Sequence, residues 1–127
     1  MNPPYVYDAA PKLRGTPLVG THQCVALIRF YTPAPHTSAW RPGQKVRGAT
    51  DIAVGTAIAT FVDGRYPNEA HGNHAAFYLG QDAFGIQVVD QWANPVKRPT
   101  ILSQTLLWKP NAPYCRSDDG NLYWVIM

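Results

Sequence analysis

The sequence predicts an α+β fold, with one early helix packed on an antiparallel sheet. Three observations predict it. The segment CVALI, at 24–28, is apolar around a whole helical circumference, as a buried helix requires. Beyond about residue 50 the apolar stretches are short and separated by turn residues. Twelve prolines and ten glycines in 127 residues favour many turns over further long helices.

Residues 1–20 are Pro-rich and aromatic, and read as an arm that wraps the domain. A helix fits 22–31, with Thr21 as its N-cap and Cys24 at the third helical position. TPAPHTSAWRPGQKVRG (32–48) holds three prolines, cannot continue the helix, and reads as a long surface loop. GTAIATFV (55–62) reads as a buried central strand closed by the turn signal DGRYPN. HAAFYLG (74–80) and IQVVDQW (86–92) form a hairpin across QDAFG. TILSQTLLW (100–108) fits either a strand or a short helix. A last hairpin is expected to join YCRS to NLYWVIM across Asp119-Gly120.

At this length the chain reads as one domain, residues 1–127, able to bury roughly two-thirds of its unfolded surface. Hydrophobic residues at 46% and charged residues at 15% exclude a disordered tract or a coiled coil. No apolar run approaches the roughly 20 residues of a membrane span. The net charge of +3 comes from scattered basic residues, which argues against nucleic acid as a partner. It suits a polyanionic surface such as a bacterial wall without establishing one. The opening MNPPYVYDAAPKLRG lacks a basic segment followed by an apolar one, so synthesis in the cytoplasm without a Sec signal is expected.

The chemistry-bearing pattern centres on HQCVALI. A cysteine in the first turn of a helix meets unpaired amide hydrogens and the positive end of the dipole, and both favour a thiolate. The same amides can receive the oxyanion of a tetrahedral intermediate, with Gln23 as a further donor. The thiol needs a proton acceptor that later protonates the leaving group. His74, at the head of a strand and followed by small Ala75 and Ala76, is the candidate. If the hairpin pairs His74 near residue 90, Asp90 lies on its face and orients the imidazole. A one-residue slip brings Gln91 there instead, and the sequence leaves that register open. Trp40, Trp92 and Tyr78 are candidates for lining a groove, with Arg41 and Arg65 for meeting carboxylates.

These segments, HQCVALI, GTAIATF, HAAFYLG and VVDQW, resemble the NlpC/P60 and CHAP cell-wall hydrolases, nearest to the small BPSL0067-type branch. The resemblance spans about residues 15–92 and implies a papain-like core with the cysteine at a helix N-terminus. It implies hydrolysis of an amide bond in bacterial peptidoglycan, in the stem peptide or between sugar and peptide. Cys24 is then the nucleophile, His74 the base and Asp90 the orienting residue. Gln23, Gln91, Trp40 and Trp92 complete the candidate oxyanion and substrate set. No metal or organic cofactor is implied, because a thiolate–imidazole pair suffices for amide hydrolysis. Small members also resemble type VI secretion effectors, which act in a rival's periplasm and are neutralised at home by an immunity protein.

Blander readings fit parts of the same pattern. Cys24 alone fits an ordinary buried thiol. Cys24 and Cys115 allow one disulfide. His71 and His74 in HGNH, with Cys24, offer three zinc ligands without a clear fourth. His71 is the reserve candidate for the base, while His22 and His36 fit loop positions. The whole domain also fits a silent wall-binding module, or a thiol acyltransferase or deamidase acting on protein.

Overall fold

The computed structural model describes residues 3–67, 69, 72–94, 96–108 and 115–127. Among them are one α-helix, α1 (Cys24–Tyr31), and six strands. The strands are β1 (Pro42–Lys45), β2 (Ala57–Thr60), β3 (Ala75–Gln81), β4 (Gly85–Asp90), β5 (Leu102–Leu107) and β6 (Tyr123–Ile126). They form one antiparallel sheet in the order β1-β6-β2-β3-β4-β5. The architecture is therefore α+β, as expected.

Both faces of the sheet are covered. On one, Leu27 and Ile28 of α1 pack with Ala57, Ala59, Ala75, Phe77 and Val89. The three alanines keep that face shallow, so the helix lies close to the strands. Burying Leu27 and Ile28 contributes about 1.5–3 kcal/mol each. On the other face, Ile58, Ala76, Tyr78, Ile86 and Val88 pack with Val46, Leu106 and Trp108. The arm does wrap: Leu13 is buried, Gly15 N–H donates to Ile101 O at 2.7 Å, and Ile101 N–H donates to Thr16 O at 2.9 Å.

The strand expectations hold where turn chemistry is strong. Asp63 (φ 53°) and Gly64 (φ 76°) form a two-residue left-handed turn closed by paired bonds between Val62 and Arg65. Asp82 Oδ1 accepts from Phe84 N–H at 2.8 Å and fixes the β3–β4 connection. TILSQTLLW resolves as strand, because β5 pairs along all of β4.

Three expectations need correction. The helix begins at Cys24 with Gln23 as N-cap, not after Thr21. His22 takes a left-handed φ of 72° and closes a turn onto Val19 O at 3.0 Å, so helical geometry cannot start before it. Cys24 is thus the first helical residue rather than the third. The 32–48 loop contains a 3₁₀ turn at Thr37–Ala39 and the edge strand β1, whose first residue is the proline that an edge tolerates. Finally, Asp119-Gly120 is not a hairpin tip. The segment forms two 3₁₀ turns, Arg116–Asp118 and Gly120–Leu122, because the Asp119 carboxylate caps the Asn121 amide at 2.9 Å. β6 then runs between β1 and β2. Tyr114, at the start of YCRS, lies outside the described residues.

Candidate active site

The site sits where α1 begins, β3 begins and β4 ends. The Phe77–Val89 register, extended three residues, sets His74 opposite Trp92 and Ala76 opposite Asp90. Asp90 therefore shares the face of His74 on the diagonal, within reach of a long side chain. Nε2 of His74 lies 2.7 Å from Asp90 Oδ2, and both side chains are sealed from solvent. Gln104 Nε2 donates to the same carboxylate oxygen from β5. The Trp92 ring stacks on the imidazole, with centroids 4.1 Å apart and planes 11° from parallel. With an anion at Nε2, that nitrogen carries the proton and Nδ1 is left for another partner.

Nδ1 makes no hydrogen bond at rest, as in many free catalytic sites. The group that acts on this imidazole besides Asp90 is Cys24. Burial opposes ionisation of Cys24 and is the largest single influence. The His74 imidazole, the Ala75 amide and the Tyr66 hydroxyl together outweigh it, and the thiol pKa is lowered. Burial likewise works against a charged His74, but the Asp90 carboxylate and the Cys24 sulfur raise its pKa to about 9. A lowered thiol pKa beside a raised imidazole pKa favours the thiolate–imidazolium form of the pair.

Tyr66 approaches from the segment after the Asp63-Gly64 turn. Its oxygen is 3.7 Å from Cys24 Sγ, and Asn73 Nδ2 donates to it at 3.5 Å. Burial, and then the neighbouring sulfur, push the phenol far above its usual range, so it remains a donor toward the thiolate. The Cys24 and Val25 amides, at the first two helical positions, have no intrahelical acceptor. A cleft of about 1120 Å³ opens over the sulfur, bordered by Gln23, Tyr66, Asn73, Trp92, His36 and Ser117 among others. A second basin of about 610 Å³ continues from it past Tyr66 to Arg41 and Arg65.

The remaining candidates are placed less evenly around the cleft. Gln23 is exposed in the cleft, and Trp92 borders it. Gln91 does not face the cleft. It is almost wholly buried and its amide is committed to the backbone of Val19 and Gln23. Trp40 is buried, packs edge-on against Tyr66 and donates to Pro35 O at 2.9 Å, so it braces the wall from behind. Tyr78 belongs to the core of the opposite face. Arg41 holds the Ser38 and Trp40 carbonyls. His22 is exposed, and His71 lies outside the described residues.

Cys24 and Cys115 are both free thiols, so they form no disulfide. Among the described residues no three His, Cys, Asp or Glu side chains gather as metal ligands, and no helix is long and apolar enough to cross a membrane. Tyr66, Asn73 and Gln104 were missed. Tyr66 sits in a turn signal and Gln104 in an ambiguous strand, so nothing local marks either for chemistry.

The chain as a whole has relatives of known family. The family model for domesticated amidase effector 2 (Dae2) matches residues 6–126. A type VI secretion amidase effector 2 protein of Salmonella typhi is 49% identical over 116 residues, covering 91% of this chain and 86% of that protein. The solved structure of a type 6 secretion amidase effector 2 (Tae2) superposes with a TM-score of 0.90 at 42% identity, covering 98% of this chain and 94% of that one.

Proposed function

Because the chain belongs to the domesticated amidase effector 2 family, we propose that it is an antibacterial type VI secretion effector that hydrolyses a peptidoglycan amide bond through Cys24. The observation that carries the mechanism is a helix-start cysteine beside an imidazole whose far nitrogen is held 2.7 Å from a sealed carboxylate. One domain, residues 1–127, supplies every group the chemistry needs.

The Cys24 thiolate attacks the amide carbonyl carbon, and the carbonyl π pair moves onto oxygen. The free amides at the start of α1 receive that oxyanion, with Gln23 and Tyr66 as side-chain donors beside it. Protonated His74 gives its Nδ1 proton to the leaving nitrogen, and the C–N bond breaks to leave an acyl-thioester and a free amine. Neutral His74 then takes a proton from water, which attacks the thioester and releases the carboxylic acid. Asp90 holds the ring's tautomer and orientation throughout.

An antiparallel sheet under a helix that starts at the cysteine supports assigning the family to the papain-like NlpC/P60 and CHAP group. Export into a rival's periplasm, with a cognate immunity protein at home, completes the reading. Purified sacculi treated with the protein and with Cys24→Ala, then resolved by mass, test it. New amine and carboxyl termini are expected from the wild-type protein alone, and they identify the bond cut. Identical products from both proteins would rule out catalysis by this thiol.

A further inference from the structure

The last residue of β4 and the residue just beyond it act on both partners of the pair. Asp90 holds the base. Gln91, the next residue along, reaches the chain that delivers the thiol. Its Oε1 accepts from Val19 N–H at 3.0 Å, and its Nε2 donates to Val19 O at 3.0 Å. The second amide hydrogen goes to Gln23 O at 2.8 Å. The carboxamide therefore pairs with Val19 as a strand rung would and also grips the carbonyl of the helix cap. These partners lie 68 to 72 residues away in sequence, and the side chain is almost wholly buried.

The segment so held would not hold its own shape cheaply. Between Val19 and Cys24 the backbone enters the left-handed region twice, at Gly20 (φ 58°) and at His22 (φ 72°). A non-glycine residue there is strained and persists only where its surroundings over-determine it. Gln23 makes no side-chain cap bond of its own, so the cap is set by what grips its carbonyl. An additional β-carbon at Gly20 would meet Ala26 Cβ at 3.0 Å, so the segment also has little room to shift toward α1.

We propose that Gln91 is a positioning residue for the nucleophile: through Val19 and Gln23 it fixes the start of α1, and so the Cys24 sulfur, against the imidazole that Asp90 holds. This rests on the reading of Cys24 as nucleophile. Asp90 bonds to His74 while Gln91, the first residue past the strand, bonds to Val19 and Gln23, so the end of β4 makes a two-sided jig. One residue sets the base and the next sets the thiol, from a single rigid element.

The test is Gln91→Leu in the full chain, read by the rate of Cys24 alkylation with iodoacetamide, its pH midpoint and the melting temperature. At pH 7 alkylation should slow about tenfold or more, and its midpoint should move up toward the free-thiol value of about 8.5. Gln91→Glu keeps the length and the acceptor for Val19 N–H, and returns at most one donated bond. It should fall between Gln91→Leu and wild type. Hydrolysis of wall fragments should lose kcat with KM little changed. A Gln91→Leu protein that melts lower but alkylates with the wild-type rate and midpoint would overturn the proposal and leave Gln91 a merely structural residue. Should that variant fail to fold, Gln91→Glu decides by the same criterion. Labelling needs no substrate, so a wild-type protein inert on sacculi would sink the hydrolase reading without touching this one.

Discussion

Asp90 and His74 meet at 2.7 Å with neither side chain open to solvent, and that bond is the strongest influence raising the His74 pKa. A sealed imidazole left to itself loses its proton easily. The carboxylate reverses that, and the imidazolium in turn holds the thiolate.

Asp90→Asn should therefore break the site without reshaping it. The asparagine accepts or donates at the same place, but no longer selects the tautomer that leaves Nδ1 for the thiol. Activity should fall about 10²- to 10⁴-fold. The His74 pKa, followed by NMR, should drop below its wild-type value of about 9. A variant that retains both rate and pKa would show that the carboxylate does not set the base.

The pH profile follows from the same pair. Activity should rise as pH climbs through the lowered Cys24 pKa, and fall above about 9, where His74 can no longer protonate the leaving amine. The measurement is kcat on a soluble wall fragment from pH 5 to 10. An alkaline limb near the ordinary histidine value of about 6.5 would contradict the assignment.

Stability carries the opposite signs of the two groups. A raised His74 pKa stabilises the fold fully below about 6.5, and that contribution disappears as pH rises through about 9. A lowered Cys24 pKa stabilises above the unfolded thiol value and loses its effect as pH falls. In the wild type the two trends oppose each other as pH rises toward about 9. Cys24→Ser removes the second and, with it, the sulfur's part in raising His74, while Asp90 still raises it. Its melting temperature should therefore decline as pH rises above about 6.5, and the wild type should stay flatter. Parallel curves would deny the linkage.

Tyr66→Phe removes the hydroxyl 3.7 Å from the sulfur and leaves the ring that packs edge-on against Trp40. Losing one donor to a charged acceptor should slow alkylation of Cys24 about 10-fold, with the melting temperature nearly unchanged. An unaltered rate would reduce Tyr66 to a wall of the cleft.

Much of this site was legible in the sequence because its members are marked by local chemistry. Cys24 begins an apolar helix after a glycine-bearing turn, and His74 and Asp90 stand at matching ends of a hairpin whose turn residues are unmistakable. Of the two registers the sequence left open, the structure has the one that sets Asp90 on the face of His74, on a diagonal rather than directly opposite. Long-range pairing was not legible. β6 lies between β1 and β2 through contacts that no local signal announces, and the Asp119-Gly120 turn signal serves a 3₁₀ cap instead. Gln91 misled for a related reason. A glutamine beside a candidate triad suggests a donor to substrate, and only the fold reveals that its partners are the Val19 and Gln23 backbone.

The account stands on Cys24 being ionised by His74 near neutral pH, and iodoacetamide labelling against pH measures that directly. Labelling of Cys24→Ala gives the contribution of Cys115, which is subtracted. A Cys24 midpoint well below the free-thiol value of about 8.5, moving upward in His74→Ala, is the predicted result. A midpoint at or above about 8.5 that His74→Ala leaves in place would contradict the account.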